Sequence, residues 1–220
     1  MTDMEAIKAR HSVRAYQNRP ITPELVEKLQ ARIAELNREY DLRMQYIEPA
    51  GEVFGGLASK LTGWSGVPAY IAVVGRKRDD LDEVCGYVGE KLVLYAQTLG
   101  LNTCWAGIFK RKRCTAEIGE DERLVLSIAI GYGVDQGTPR RSKSAEDVTD
   151  VKEMPQWFRD GIEAALLAPT AINQQKFFFT LDGDKPSVRV SANGPFVKLD
   201  LGIVKCHFEI GAGKENFRWK

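Results

Sequence analysis

Histidine and cysteine are scarce in this chain. There are two histidines, His11 and His207, and four cysteines, Cys85, Cys104, Cys114 and Cys206, no two of them in a CxxC pair. Structural zinc ligands usually arrive in closely spaced pairs, so no metal site is expected. Net charge is also nearly absent, at +1, which removes the broad positive field that nucleic acid or an acidic membrane would select. No apolar run approaches the roughly 18 residues of a membrane span, and no basic-then-apolar leader opens the chain. A cytoplasmic protein with reduced thiols is the expectation. GxGxxG and GxxxxGK[ST] are both missing, so neither a dinucleotide fingerprint nor a P-loop is supported. No repeat, low-complexity tract or clean linker interrupts the sequence.

What is present is ordinary globular material. The 220 residues are 44% hydrophobic and 28% charged, enough for one sizeable core. Two nearly continuous apolar runs, 69–75 (AYIAVVG) and 124–131 (LVLSIAIG), read as central strands covered on both faces. Shorter strands are expected at 42–47, 101–109, 176–181 and 187–192, the last two joined by the turn-forming residues 182–186. Helices are expected over 4–10, from Thr22-Pro23-Glu24 to about Glu39, over 81–99 with Gly100 as its cap, over 157–168, and over 196–210 with Gly211 and Gly213 ending it. Leu25, Leu29, Ile33 and Leu36 mark the apolar face of the second. A single α+β domain over 1–220 is the expectation.

Several stretches carry chemistry. Arg10-His11-Ser12-Val13-Arg14-Ala15-Tyr16 gathers two arginines, a histidine and a serine, a compact donor set that suits an anion and equally suits a solvated basic turn. Pro139-Arg140-Arg141-Ser142-Lys143-Ser144 is a second basic cluster, or a solvated linker. In Ala168-Pro169-Thr170-Ala171-Ile172-Asn173-Gln174-Gln175, proline stops a helix, and four amide or hydroxyl side chains follow within six positions. Their paired donors and acceptors match the edge of a flat heterocycle, although a plain polar loop has the same composition. Phe54-Gly55-Gly56 and Thr62 to Gly66 are glycine-rich loops, and Phe54, Trp64 and Tyr70 are candidate pocket walls or core. Cys104 reads as a buried small hydrophobe rather than a nucleophile.

Together these segments resemble the FMN-dependent nitroreductase family. Residues 10–16 resemble its Arg-Arg-Ser-Val-Arg-x-Phe/Tyr motif, residues 168–175 its Ala-Pro-Ser-x-x-Asn-x-Gln motif, and Leu99 to Gly107 its Leu-Gly-Leu-Gly-Thr-Cys-Trp-x-Gly segment. Ile130-Gly131-Tyr132-Gly133 followed by Arg140, Arg141 and Lys143 also fits, and the closing 200–209 stretch looks like a subgroup with a longer C-terminal part. The order departs from the family, because the Pro-x-x-x-Asn loop comes late in the chain, and Lys176 and Phe177 stand where the family has proline and tryptophan.

The resemblance implies a nitroreductase-like fold, with a mainly antiparallel sheet flanked by helices, and FMN as cofactor. Arg10, His11, Ser12 and Arg14 would hold its phosphate and ribityl chain, with Arg141 or Lys143 adding charge. Asn173, with Pro169, Thr170 and Ala171, would meet the flavin's polar edge. Ala106 and Gly107 would offer backbone amides near N5 and O4. No protein residue is assigned as catalytic, because the flavin carries the chemistry. NADH or NADPH would be the reductant, a nitroaromatic, quinone or similar small molecule the acceptor, and a homodimer the assembly. Two alternatives stay open: a flavin-binding or sensing protein without turnover, and a small-anion-binding α+β domain.

Overall fold

The computed structural model describes residues 1–56, 62–183, 185–191 and 193–220. Strand β1 spans Gln45–Ile47, β2 Ala69–Arg76, β3 Asn102–Ala106 and β4 Glu122–Gly131. Seven successive residues of β2 are buried, as a run without a polar face requires. The four strands form one antiparallel sheet in the order β1-β2-β4-β3, so the two apolar runs take the central places expected of them. The β2–β4 register slips once, at a bulge between Val73 and Val74.

Helix α1 covers Asp3–Ala9, α2 Pro23–Tyr40, α3 Leu81–Thr98, α4 Gln156–Leu166 and α5 Val197–Ala212, and β5 (Phe177–Asp182) and β6 (Lys185–Val190) make a separate antiparallel hairpin. The α+β class therefore holds. In α2, Leu29, Ile33 and Leu36 are buried, while Leu25 lies half-buried at the margin.

Several boundaries move for local reasons. The first strand keeps only Gln45–Ile47, because Leu42 is limited to a single bridge with Gly75. The third stops at Ala106, where its register with β4 ends. Thr22 precedes α2 without a side-chain capping bond, and Pro23 alone sets the helical start. Gly211 lies inside α5, and Gly213, at φ 74°, ends it. Asp184 in the expected turn and Ala192 at the expected strand end lie outside the described residues.

The contacts group the chain into two compact units, each discontinuous in sequence. The sheet unit holds 9–81 and 92–139, and the helical unit holds 1–8, 82–91 and 140–220. The core of the sheet unit includes Val13, Tyr16, Phe54, Trp64, Tyr70 and Ala129. The helical unit is built on aromatic contacts. Phe179 stacks on Phe208 with centroids 4.7 Å apart, and Phe158 meets both rings edge-on. Beside them His207 is fully buried, its Nδ1 3.1 Å from the Ala164 carbonyl and its Nε2 2.9 Å from Glu90 Oε1. Glycines let the backbones approach. A Cβ on Gly86 would lie 2.0 Å from the Leu199 carbonyl oxygen, and one on Gly202 would lie 1.9 Å from that of Glu83.

Gly202→Ala should therefore lower the urea midpoint, since overpacking a well-fitted contact costs about 1–3 kcal/mol. Because the obstacle is backbone rather than a flexible side-chain tip, the loss should fall at the upper end. An unchanged midpoint would show that the helices separate freely.

Candidate functional site

In the sheet unit the Arg10–Tyr16 segment is laid along β3. Ser12 pairs with Thr103 in a parallel bridge, and the Val13 amide donates to the Thr103 carbonyl at 3.1 Å. Val13 and Tyr16 point into the core and anchor the strip. The polar members divide by depth: Arg10 is buried at 5% exposure, His11 and Ser12 are half-buried, and Arg14 is exposed. Burial holds the Cys104 thiol above its usual range, while Arg14, a hydrogen bond with Ser12, and Arg10 pull it back. Cys104 is thus a buried neighbour of the basic strip, not an activated thiolate. No carboxylate among the described residues pairs with Arg10. Glycines let the turn after β4 close on this strip. A Cβ on Gly137 would lie 2.6 Å from that of His11, and the Gly133 amide donates to Asn102 Oδ1 at 2.9 Å. Ala106 is buried at the end of β3, opposite Ser127, and Gly107 is exposed just beyond it.

In the helical unit, Arg141, Lys143, Pro169, Thr170, Ala171 and Asn173 come together. Asn173 Nδ2 donates to the Arg141 carbonyl at 2.8 Å, and Lys143 Nζ donates to the Gln175 carbonyl at 2.8 Å. Arg140 donates to the Ala168 carbonyl. The Gln175 amide donates to Thr170 Oγ1 at 3.1 Å, and Gln175 Oε1 accepts the Lys143 amide at 3.0 Å. These bonds over-determine a strained loop, in which Ile172, Asn173 and Gln175 have φ of 48°, 56° and 44°. Left-handed backbone costs a non-glycine residue roughly 1–2 kcal/mol, so such a run persists only when tied down. Arg141 remains exposed. Lys176, in the family's proline position, donates to the Asn193 carbonyl at 2.9 Å.

Two contributors stand outside the residues assigned to the flavin: Gln175, which belongs to the polar loop read from the sequence, and Asp200, which the sequence does not single out. Gln175 is 3% exposed and ties the loop to residues 141–143. Asp200, in the first turn of α5, accepts the Ala171 amide at 3.0 and 3.1 Å and Gln174 Nε2 at 2.7 Å. Burial pushes its carboxyl up to about 6, against the opposing pull of Gln174, the Ala171 amide and Arg140. An acidic residue early in a helix is common, so nothing in the sequence marks Asp200 out.

The α+β architecture, with its four-stranded antiparallel sheet, is that of the nitroreductase fold. The chain belongs to the family described as "Putative TM nitroreductase", whose model matches residues 3–212. A "putative nitroreductase" from Thermotoga maritima is 22% identical, with 98% of this chain and 85% of that one covered at a TM-score of 0.68. A protein described in the same words, in complex with FMN, from Desulfovibrio desulfuricans is 19% identical, with 70% and 98% covered and a TM-score of 0.53. A nitroreductase family protein from Clostridium difficile is 21% identical, with 70% and 100% covered and a TM-score of 0.51. No curated protein matches the chain.

Asp200 makes a testable pH signature. Its folded pKa of about 6 lies above the unfolded value of about 3.9. The folded state therefore binds the proton more tightly, and this group's contribution to stability is lost as pH rises between those values. Asp200→Asn keeps an acceptor for the Ala171 amide without the charge. The stability of wild type minus that of the variant should fall by on the order of 2–3 kcal/mol between pH 4 and pH 8 in urea denaturation. A difference independent of pH would remove the assignment.

Proposed function

We propose that this chain is an FMN-dependent NAD(P)H oxidoreductase acting on nitroaromatic, quinone or similar small acceptors. The observation that carries this reading is Arg10: a residue only 5% exposed overall whose guanidinium has no carboxylate partner among the described residues. A buried charge is normally paired, so an anion from outside the chain is the natural complement. The residues present fit FMN's terminal phosphate, since Arg14, His11 and the Ser12 hydroxyl lie on the same strip along β3. The strand itself runs from Thr103, beside Ser12, to Ala106, about 10 Å further at a strand's rise of ~3.3 Å per residue. That length suits a cofactor with its phosphate at one end and its ring at the other, near Ala106 and Gly107.

For the helical unit the reading is separate. Its loop presents Thr170, Ala171 and Asn173 as a rigid edge for a flavin, with Pro169 buried behind them and Arg141 and Lys143 supplying positive charge. FMN, when bound, would supply the hydride chemistry, with NADH or NADPH and the acceptor served in alternating half-reactions. The protein's part is to bind and orient, which agrees with Cys104 being held as a neutral thiol. A cytoplasmic homodimer belongs to the same reading. Among the described residues, no helix is long and apolar enough to cross a membrane.

The purified protein should be yellow or take up FMN, NAD(P)H should bleach it anaerobically, and a nitroaromatic should restore the colour. Arg10→Ala should weaken FMN binding about ten- to a hundredfold, the loss of a charge-assisted contact of about 1.5–3 kcal/mol. A colourless protein that cannot be loaded would sink the reading. Bound flavin that NAD(P)H never bleaches would leave a flavin-binding protein without turnover.

A further inference from the structure

The sheet unit contains a cavity that the flavin reading does not use. It has a volume of about 470 Å³, within the roughly 300–1,000 Å³ typical of small-molecule sites. Pro20, Pro49 and Pro68 supply rigid apolar walls, together with Phe54 and Trp64, whose rings lie 5.1 Å apart and tilted by 59°. Phe54 and Trp64 belong to the core and also line this cavity, whereas Tyr70 is fully buried in the core and does not line it.

Two polar features of this wall lack partners. The indole Nε1–H of Trp64, a residue only 6% exposed, makes no hydrogen bond. A buried donor left unsatisfied is uncommon, and this one is enclosed within the wall rather than open to the cavity. Arg19 lines the same cavity, with its guanidinium carbon 3.5 Å from the centroid of the Tyr132 ring. Stacking holds the guanidinium plane in place and leaves its N–H groups for a planar anion. No carboxylate among the described residues pairs with it. The other charged residue of the wall, Glu48, is engaged by the Tyr46 hydroxyl, which donates to it at 2.6 Å.

We propose that this cavity binds a planar aromatic carboxylate, its ring held between the proline and aromatic walls and its carboxylate on Arg19. The anion and the ring are both required. The prolines and Phe54 offer nothing to a small inorganic ion, and a neutral aromatic would gain no contact with the exposed, ring-stacked Arg19 guanidinium. Trp64 also has Arg14 at 6.0 Å from its ring, so occupancy would be read by its fluorescence. The site lies wholly in the sheet unit and does not rest on the flavin assignment.

The test uses the full chain, with its flavin content measured, titrated with 1-naphthoate, 1-naphthamide and 1-naphthylmethylammonium. Calorimetry and tryptophan fluorescence follow binding. Saturable one-to-one binding of naphthoate is expected, at least tenfold tighter than the amide or the ammonium. Arg19→Gln should weaken naphthoate at least tenfold with an unchanged melting temperature, and Trp64→Phe should abolish most of the fluorescence response. Binding by a colourless preparation would uphold this site even if the flavin reading failed. Absence of saturable binding, equal affinity for acid and amide, or equal affinity in the Arg19 variant would overturn it. A naphthoate-induced shift of the flavin absorption band would also overturn it, by putting the ligand on the flavin instead.

Discussion

The antiparallel pairing of β2 with β4 is the constraint from which the sheet unit follows. Both strands lack a polar face, so neither can stand at a wet edge. Once they pair from Ala69–Ile130 to Arg76–Glu122, the edges fall to the short strands β1 and β3. An edge strand retains backbone groups for another segment. On β3 that segment is Ser12-Val13, and Val13 secures it by being only 1% exposed. Arg10 and Arg14 are thereby positioned by a hydrophobic anchor between them, and neither has a carboxylate partner among the described residues. A basic strip positioned in this way can meet an anion without first breaking an ion pair.

The helical unit reaches rigidity by the opposite route. Its polar loop is held almost entirely by hydrogen bonds between side chains and backbone. The amide of Asn173, the ammonium of Lys143 and the carboxylate of Asp200 all bind main-chain groups of neighbouring segments. Such bonds fix the left-handed residues that a glycine-free loop would otherwise avoid. What the loop then shows to its surroundings is a fixed shape: Ile172 is 93% exposed, and Asn173 is exposed although its amide is already bonded. A site formed by a stiff loop needs little reorganisation when a planar ligand arrives, which is the usual source of affinity at preorganised sites.

Much of this was legible in the residues. The two apolar runs announced the central strands because a strand buried on both faces has no other composition. Pro23 and Gly213 marked helix ends through backbone geometry, a local property. The basic strip was legible as a cluster, since Arg10 to Arg14 are near in sequence. Long-range partnerships were not. Asp200 and Ala171 meet only through the packing of α5, and Gln175 looks the same in sequence whether it faces water or bonds Lys143. The division into two units was hidden as well, because each is assembled from separate stretches with no linker between them. Gly211 misled because a helical glycine facing Ala164 and the Asp160 carbonyl has the same letter as one that ends a helix.

The scarcity of reactive side chains now has a physical content. Of the two histidines, His207 is buried, with both ring nitrogens facing the acceptors Ala164 and Glu90. Of the cysteines, burial raises both the Cys104 and Cys206 thiols. A raised thiol is a poor nucleophile near neutral pH, and a fully buried imidazole is poorly placed to exchange protons with a substrate. The site residues named above are mostly of another kind, guanidinium, amide and hydroxyl groups that bind and orient, with His11, half-buried on the strip, the one imidazole among them. A protein so furnished supports redox chemistry only by positioning a molecule that carries it. On the flavin reading, an arginine without a carboxylate partner among the described residues, rather than any acid or nucleophile, is the residue on which function turns.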